Sequence, residues 1–500
     1  MCNILFFVID TLRYDCVAEK KPPGLKTPAF DRLRERSITF EHAYTNSYPT
    51  IPCRKDMVYG TYGDPFNRWH PMDINKRTFP RVLFENGYCT QLIHDTPHLV
   101  NGGMAFDYFF NAWTFLRGAE VDRPIITKKW TFPDNWAPDP AYDAWGKADE
   151  SLIERGHYMA TYLQSNAHRK NEGDWNCRRL FDAASLFLED NAGRDNFFLW
   201  VDCFDPHEPW DSPEEYVKMY LPEGNGKIDP RLLFGGVGSG DTMTEEIKRV
   251  KRALYMAKLS FVDRQLGKVL DTLERTGLAE NTVVVLTADH GTNLADRPGL
   301  GFGKRRLPQQ YEARIPLLIS APWLKPHVRK DITAPQDIYA TILGLAGVEC
   351  NMSSSQDLLK GPSKREYAVT AWGPIDVGKD TAPQQQLFSV LNCEWCLSVA
   401  ADNASCALYA IGGNDEVAAA NPGVVAELKE AGIALLVERG MPGDVAAWLR
   451  GGGVGFAPEW PAPTDYLSRG FGGTEYAHSY EGWREYWCRN YLREPKKTMN

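Results

Sequence analysis

An α/β fold, with a sheet of covered strands, parallel by their unbroken apolar runs, held between helices and a smaller α+β unit at the C-terminal end, is what this 500-residue sequence predicts. Three observations carry that expectation. Short apolar runs rich in β-branched residues end abruptly in acidic residues or histidine, helix-patterned segments lie between them, and the pattern changes character after Gly361-Pro362.

The first run is Ile4 to Ile9, closed by Asp10; an unbroken apolar stretch of this length fits a strand covered on both faces. Thr27-Pro28-Ala29-Phe30-Asp31-Arg32-Leu33 follows as a helix start, with Thr27 placed to cap it and Pro28 in its first turn. Phe197 to Val201, before Asp202, reads as a second covered strand. Glu245 to Arg275 is a long helix whose Leu254, Leu259, Val262, Leu266, Val269, Leu270 and Leu273 recur at three- and four-residue spacing. Thr282 to Thr287 is a third strand, running into Asp289-His290. Ligands of such sheets gather at the carboxyl ends of the strands, so the polar residues that close these runs are expected to converge on one site.

Residues 111 to 180 interrupt the rhythm with a Trp-, Pro- and Asp-rich stretch that reads either as an insertion over the site or as an ordinary packed excursion of a catalytic domain spanning 1 to 362. Residues 363 to 500 form the C-terminal unit, with strand-like runs at Glu366 to Ala371 and Leu387 to Leu391 and a helix over Asn421 to Val437. Its tail, Tyr466 to Tyr491, is rich in Tyr, Trp and Phe, and so much apolar surface predicts a homo-oligomer.

With 43% hydrophobic and 24% charged residues the chain reads as an ordinary globular protein. Its net charge of -9 is spread along the sequence without a basic stripe, which excludes nucleic acid as the expected partner. The opening apolar run is too short for a membrane span or a signal peptide, and no later run reaches the roughly 18 apolar residues a span requires. The reading is a cytoplasmic protein without a membrane partner. Eleven scattered cysteines form no disulfide framework. The isolated pair Cys393 and Cys396 is expected to be buried as small hydrophobes.

Two motifs carry chemistry. Asp289-His290-Gly291 puts a carboxylate and an imidazole on a tight turn, within reach of one cation. Thr50-Ile51-Pro52-Cys53-Arg54 sets a hydroxyl four residues before a guanidinium at a helix start, where free N–H groups favour an anion.

In order along the chain, Asn3 to Arg13, Lys26 to Leu33, Phe40 to Tyr44, Thr50 to Arg54, Asn86 to Thr90, Asp205-Pro206-His207-Glu208-Pro209-Trp210, Thr287 to Gly291, Arg314 to Ile319 and Asp337 to Leu343 together resemble the sulfatase family of the alkaline phosphatase superfamily. The resemblance runs from residue 3 to about 347 and more weakly to about 440. It implies an alkaline-phosphatase-like fold built on a mixed sheet, and an ester hydrolase with Asp10, Asp289, His290 and Thr50 on one divalent cation. It also implies that Thr50 is the nucleophile, that Arg54 and Lys304 hold the substrate anion, and that His207 protonates the leaving oxygen. His98, in His94-Asp95-Thr96-Pro97-His98-Leu99, is placed in the site ahead of His94. Asp205 with His207 is the alternative source of ligands for a second cation.

The sequence departs from the family in two places. Thr11 stands where the family has a second aspartate, which shifts the expected cation from calcium toward zinc or manganese. Thr50 stands where sulfatases convert cysteine or serine to formylglycine, a conversion threonine cannot undergo. Cys53 is no substitute, because the maturation signal's proline is missing after it.

The first expectation is therefore hydrolysis of a small phosphoric ester, a phosphodiester or phosphonate monoester, through a phosphothreonine. A sulfuric ester hydrolase working without formylglycine is the alternative. A silent anion-binding protein stands third, since a dead site has no physical reason to keep all six of Asp10, Thr50, Arg54, Asp289, His290 and Lys304.

Overall fold

A computed structural model describes residues 2–62, 71–120, 162–222, 243–298, 300–304, 309–372, 386–400, 406–441 and 443–452, together with 122 and 233. The aromatic tail, 466–491, lies outside the described residues, as does most of the interrupting stretch. Among the described residues no helix is long and apolar enough to cross a membrane.

The larger sheet has nine strands: β1 (Asn3–Ile9), β2 (Ile38–Tyr44), β4 (Cys89–His94), β5 (Ala112–Phe115), β6 (Phe197–Cys203), β7 (Thr282–Thr287), β10 (Arg314–Ile315), β11 (Leu317–Ser320) and β12 (His327–Thr333). Their order is β10-β2-β11-β7-β1-β6-β4-β5, with β12 beside β2. β1 pairs in parallel with both β6 and β7, and β4 in parallel with β6 and β5. β11 runs antiparallel between β7 and β2, which makes the sheet mixed.

Every residue of β1, β6 and β7 is buried, as their unbroken apolar runs predict. Helices Asn176–Asp190 and Glu245–Arg275 pack on each other along the sheet. A second group is formed by α1 (Pro28–Glu35), α2 (Thr50–Tyr59), α3 (Phe79–Glu85) and Asp337–Leu345; of these, α1 lies on the long helix while the other three pack together. Phe6, Phe79 and Trp200 show the density of this core: Phe6 meets Trp200 edge-on at 4.7 Å, and Phe79 stacks on Trp200 at 5.9 Å.

Three details differ from the sequence reading. Residues 112–115, placed in the interrupting stretch, are the edge strand β5, and residues 176–180 begin a core helix. Thr27 does not cap α1 through its side chain, which instead accepts from Lys21 Nζ. The cap is the Asp263 carboxylate from the long helix, accepting from the Ala29 and Phe30 amides at 3.1 and 2.7 Å; a charged acceptor outcompetes a neutral hydroxyl there. Cys396 is buried as expected, but Cys393 is exposed, because it sits in the turn before its strand.

The second sheet contains β13 (Ala368–Trp372), β14 (Gln386–Leu391), β15 (Trp395–Ala400) and β16 (Ala407–Ala410), antiparallel throughout. Helices Pro422–Glu438 and Gly443–Arg450 close its core. Gly432 lets the first of them approach, since a Cβ there would meet Val390 Cγ2 at 2.3 Å. The fifth strand of this sheet is β3 (Ser47–Tyr48), contributed by the N-terminal part of the chain and parallel to β13. It ends two residues before Thr50. A two-stranded ribbon, β8 (Asn293–Leu294) with β9 (Phe302–Gly303), leads into Lys304.

Candidate active site

β1, β6 and β7 end side by side, so Asp10 follows β1, Asp202 is the last residue but one of β6, and Asp289-His290 follow β7. Asp10, Asp289 and His290 each offer a ligand atom, all within 4.8 Å of one another and buried. His290 Nδ1 bonds to the Gly291 carbonyl at 2.8 Å, which puts its proton there. Nε2 is thereby left with a lone pair, buried without a hydrogen-bond partner, 3.4 Å from Asp289 Oδ2 and 3.9 Å from Asp10 Oδ1. An orphaned imidazole nitrogen between two carboxylates is a donor set that fits a divalent cation.

Electrostatics agree with that geometry. Burial, and then the neighbouring Asp289, hold the Asp10 carboxyl well above the usual range. Asp289 resists the same burial and is lowered by His290, Arg54 and the Thr11 amide. Burial pushes His290 down to about 4, so it is a neutral ligand at pH 7.

Thr11, which replaces a carboxylate, is not idle. It sits at φ 63°, a strained conformation for a β-branched residue. Its hydroxyl donates to Asp10 Oδ1 at 2.6 Å, its amide donates to Asp289 Oδ1 at 3.1 Å, and its carbonyl accepts from Tyr255 at 3.0 Å. One residue thus orients both ligand carboxylates.

Thr50 is buried in the first turn of α2, after Pro49. Arg54, one turn on and fully buried, joins this helix start to the acidic cluster. Its Nη1 donates to the Thr50 carbonyl at 3.1 Å and to Asp289 Oδ2 at 2.5 Å, and its Nη2 to Asp10 Oδ2 at 3.2 Å. Tyr48 from β3 lies edge-on to the His290 ring at 4.9 Å and donates to Glu312 Oε1.

Lys304, His207 and His98 lie together near this cluster. Lys304 Nζ contacts His207 Nε2 directly, while His207 Nδ1 is 2.6 Å from the Glu208 carbonyl. Nδ1 therefore holds the imidazole proton and Nε2 accepts from the ammonium. Burial and then Lys304 keep His207 well below its ordinary value. His98 packs edge-on to Phe204 at 5.7 Å and is pushed down to about 3 by burial and Lys304. His94 points elsewhere: it stacks on Phe115 at 5.0 Å, with Nδ1 on the Thr96 carbonyl. Asp205 is also absent from the cation cluster, being paired with Lys258 at 2.8 Å.

Sequence reasoning counted Asp202 among the polar residues expected to converge here but gave it no role, treated Thr11 only as a lost carboxylate, and gave none to Tyr48, Thr96 or Glu312. Asp202 binds Arg54 through both oxygens, at 2.8 and 2.9 Å, and accepts from Thr96 Oγ1 at 2.6 Å. Its place at the end of an apolar run was the available signal.

The sulfatase family profile matches residues 2–348. The chain belongs to the sulfatase family. Among its relatives is the multifunctional alkaline phosphatase superfamily protein PehA of Trinickia caryophylli, 25% identical over 402 residues that cover 69% of this chain and 74% of that one. Choline-sulfatase of Rhizobium meliloti (strain 1021) is 25% identical over 367 residues, 69% and 68% of the two chains. In structure the chain resembles the phosphonate monoester hydrolase of Agrobacterium radiobacter, with a TM-score of 0.64 at 18% identity over 88% of this chain and 96% of the other. Phosphonate monoester hydrolase SpPMH from Silicibacter pomeroyi gives 0.62 at 22% identity, covering 88% and 95%. This sulfatase-family chain is accordingly a hydrolase of phosphate or sulfate esters.

Proposed function

We propose that this family member hydrolyses phosphoric esters, a phosphodiester or a phosphonate monoester, through a covalent intermediate on Thr50. The observation that carries the reading is a threonine at the helix start beside the Asp10–Asp289–His290 cluster, where formylglycine cannot be made. A threonine sulfate would have no aldehyde hydrate to expel the anion, whereas a phosphothreonine is opened by water at phosphorus.

Asp10, Asp289 and His290 would hold one zinc or manganese ion, with Thr50 as the fourth ligand. Such an ion supplies Lewis-acid charge to the oxygens of the reacting phosphoryl group. The chain's own residues do the rest. Thr50 Oγ bonds to phosphorus as the ester oxygen leaves, and that oxygen takes a proton from the Lys304–His207 pair, where Lys304 Nζ holds it and His207 Nε2 faces it. Water then bonds to phosphorus and gives a proton back to the Lys304–His207 pair, and the Thr50 Oγ–P bond breaks to restore the ionised Thr50 oxygen that began the cycle. Arg54 and Lys304 stabilise the anion in both steps, and neutral His98 lines the pocket beside them.

Sulfate-ester hydrolysis is the second reading, favoured by relatives named as sulfatases. One experiment separates the two: turnover of aryl phosphodiester, phosphonate monoester and sulfate by the wild type, Thr50→Ala and Thr50→Ser, with metal content by elemental analysis. Thr50→Ala should lose several orders of magnitude, Thr50→Ser should retain much of the rate, and a phosphothreonine peptide should be trapped at low pH. Faster turnover of aryl sulfate, or full activity in Thr50→Ala, would refute the proposal. The aromatic tail supports a homo-oligomer, which light scattering tests.

A further inference from the structure

Arg54 is a cation placed against the two carboxylates that would hold another cation. Its Nη1 and Nη2 reach Asp289 and Asp10, so without a further partner it would compete with the metal for both. The structure supplies that partner. Asp202 faces the other edge of the guanidinium and takes Nε and Nη2 in a two-pronged pair at 2.8 and 2.9 Å. Its two oxygens also accept from Thr96 Oγ1 at 2.6 Å and Trp200 Nε1 at 3.2 Å, so a buried carboxylate is held fully hydrogen-bonded. Asp202 is not one of the three residues of the cation cluster. Its place in the sheet explains the arrangement: β6 lies between β1 and β4, with Asp202 opposite Val8 on one side and His94 on the other.

We infer that Asp202 is the counter-ion of Arg54, a positioning residue that frees Asp10 and Asp289 to bind the metal. The inference rests on the proposed one-cation site. With a dication present the charges match in pairs: Asp10 and Asp289 offset the ion, and Asp202 offsets Arg54. Remove the Asp202 charge, and the guanidinium stands uncompensated beside a dication in a site that water does not screen.

The test is calorimetric titration of the metal-stripped full chain with Zn²⁺ and, separately, Mn²⁺. Asp202→Asn keeps the shape and removes the charge; it should weaken binding of both ions about tenfold or more, the range in which outer partners of metal ligands act. Arg54→Gln should bind at least as tightly as the wild type, because the competing cation is gone. The double variant Asp202→Asn/Arg54→Gln should recover most of the lost affinity, a rescue that a merely architectural role for Asp202 would not give. Unchanged affinity in Asp202→Asn, or no recovery in the double variant, overturns the inference while leaving the metal site standing. Should Asp202→Asn not fold, weakened binding by Arg54→Gln overturns it. A wild type that binds neither ion overturns the metal site and this inference together.

Discussion

Replacing Lys258 with methionine tests the support behind the His207 turn. Lys258 projects from the long helix, 3% exposed at its side chain, and places its Nζ 2.8 Å from Asp205 Oδ1, 2.6 Å from the Pro209 carbonyl and 3.4 Å from Asp211 Oδ1. It therefore ties down the residues on both sides of His207. Burial works against its charge, yet Asp205 and Asp211 raise it above the ordinary lysine value. Methionine fills nearly the same volume, so the loss is electrostatic. Asp211 keeps Tyr162 and Arg169 at 2.8 and 3.1 Å, but Asp205 is left as a buried carboxylate without its ion pair. Breaking a buried pair on one side costs about 3 to 5 kcal/mol. Burial already raises the Asp205 carboxyl, and losing Lys258 raises it further. The folded variant then binds a proton that the unfolded chain releases near pH 4. The wild type shares the burial part of that rise, so the deficit relative to it should grow with pH only above the wild-type Asp205 value, by at most about 1.4 kcal/mol per unit. Guanidinium unfolding followed by tryptophan fluorescence at pH 5, 6 and 7 measures this, since Trp200 and Trp210 are buried in the larger core. The double variant Asp205→Asn/Lys258→Met should recover part of the loss. A deficit under about 1 kcal/mol at pH 7, or one that shrinks as pH rises, would refute the reasoning. On the mechanism proposed above, in which the Lys304–His207 pair protonates the leaving oxygen, turnover should fall more for esters with poor leaving groups than for those with good ones.

Gly291→Ala would set a Cβ 2.1 Å from the Tyr311 carbonyl oxygen and push the His290 loop off its place; metal content by elemental analysis should fall, with affinity reduced about tenfold or more. His94 is buried neutral with a value near 4 against 6.5 unfolded, so the folded state binds fewer protons between those limits and stability is lost as pH falls through that window. His94→Asn keeps a donor toward the Thr96 carbonyl and should remove about 3 kcal/mol of that acid loss, read as a shallower decline of unfolding free energy between pH 6.5 and 4. Cys53→Ala should leave turnover within a few-fold of wild type, because burial pushes the thiol far from ionisation and leaves it packing and a hydrogen bond with the Thr45 side chain.

How far a sequence discloses such a site depends on whether each residue's role is local. Asp10 and Asp289-His290 were legible because an apolar run that stops at a polar residue announces both the strand and its carboxyl end. Thr50 and Arg54 were legible because four residues on one helix start fix their separation in advance. Asp202 follows the same rule as Asp10, but its value comes from Arg54, 148 positions away, and no local pattern encodes that pairing. The long helix was read to its ends from the leucine and valine spacing. That same periodicity hid Lys258 and Asp263, whose charges are buried by contacts with the His207 turn and the start of α1. β3 is the extreme case. Two residues are too short to show any period, yet they join the sheet of the C-terminal unit and lead directly into Thr50. Through Tyr48 they also bear on His290. The placing of Thr50 beside the Asp10–Asp289–His290 cluster is therefore set jointly by both sheets, and a lesion in the core around Val369 and Val390 should, on the proposed mechanism, reach the chemistry through β13 and β3.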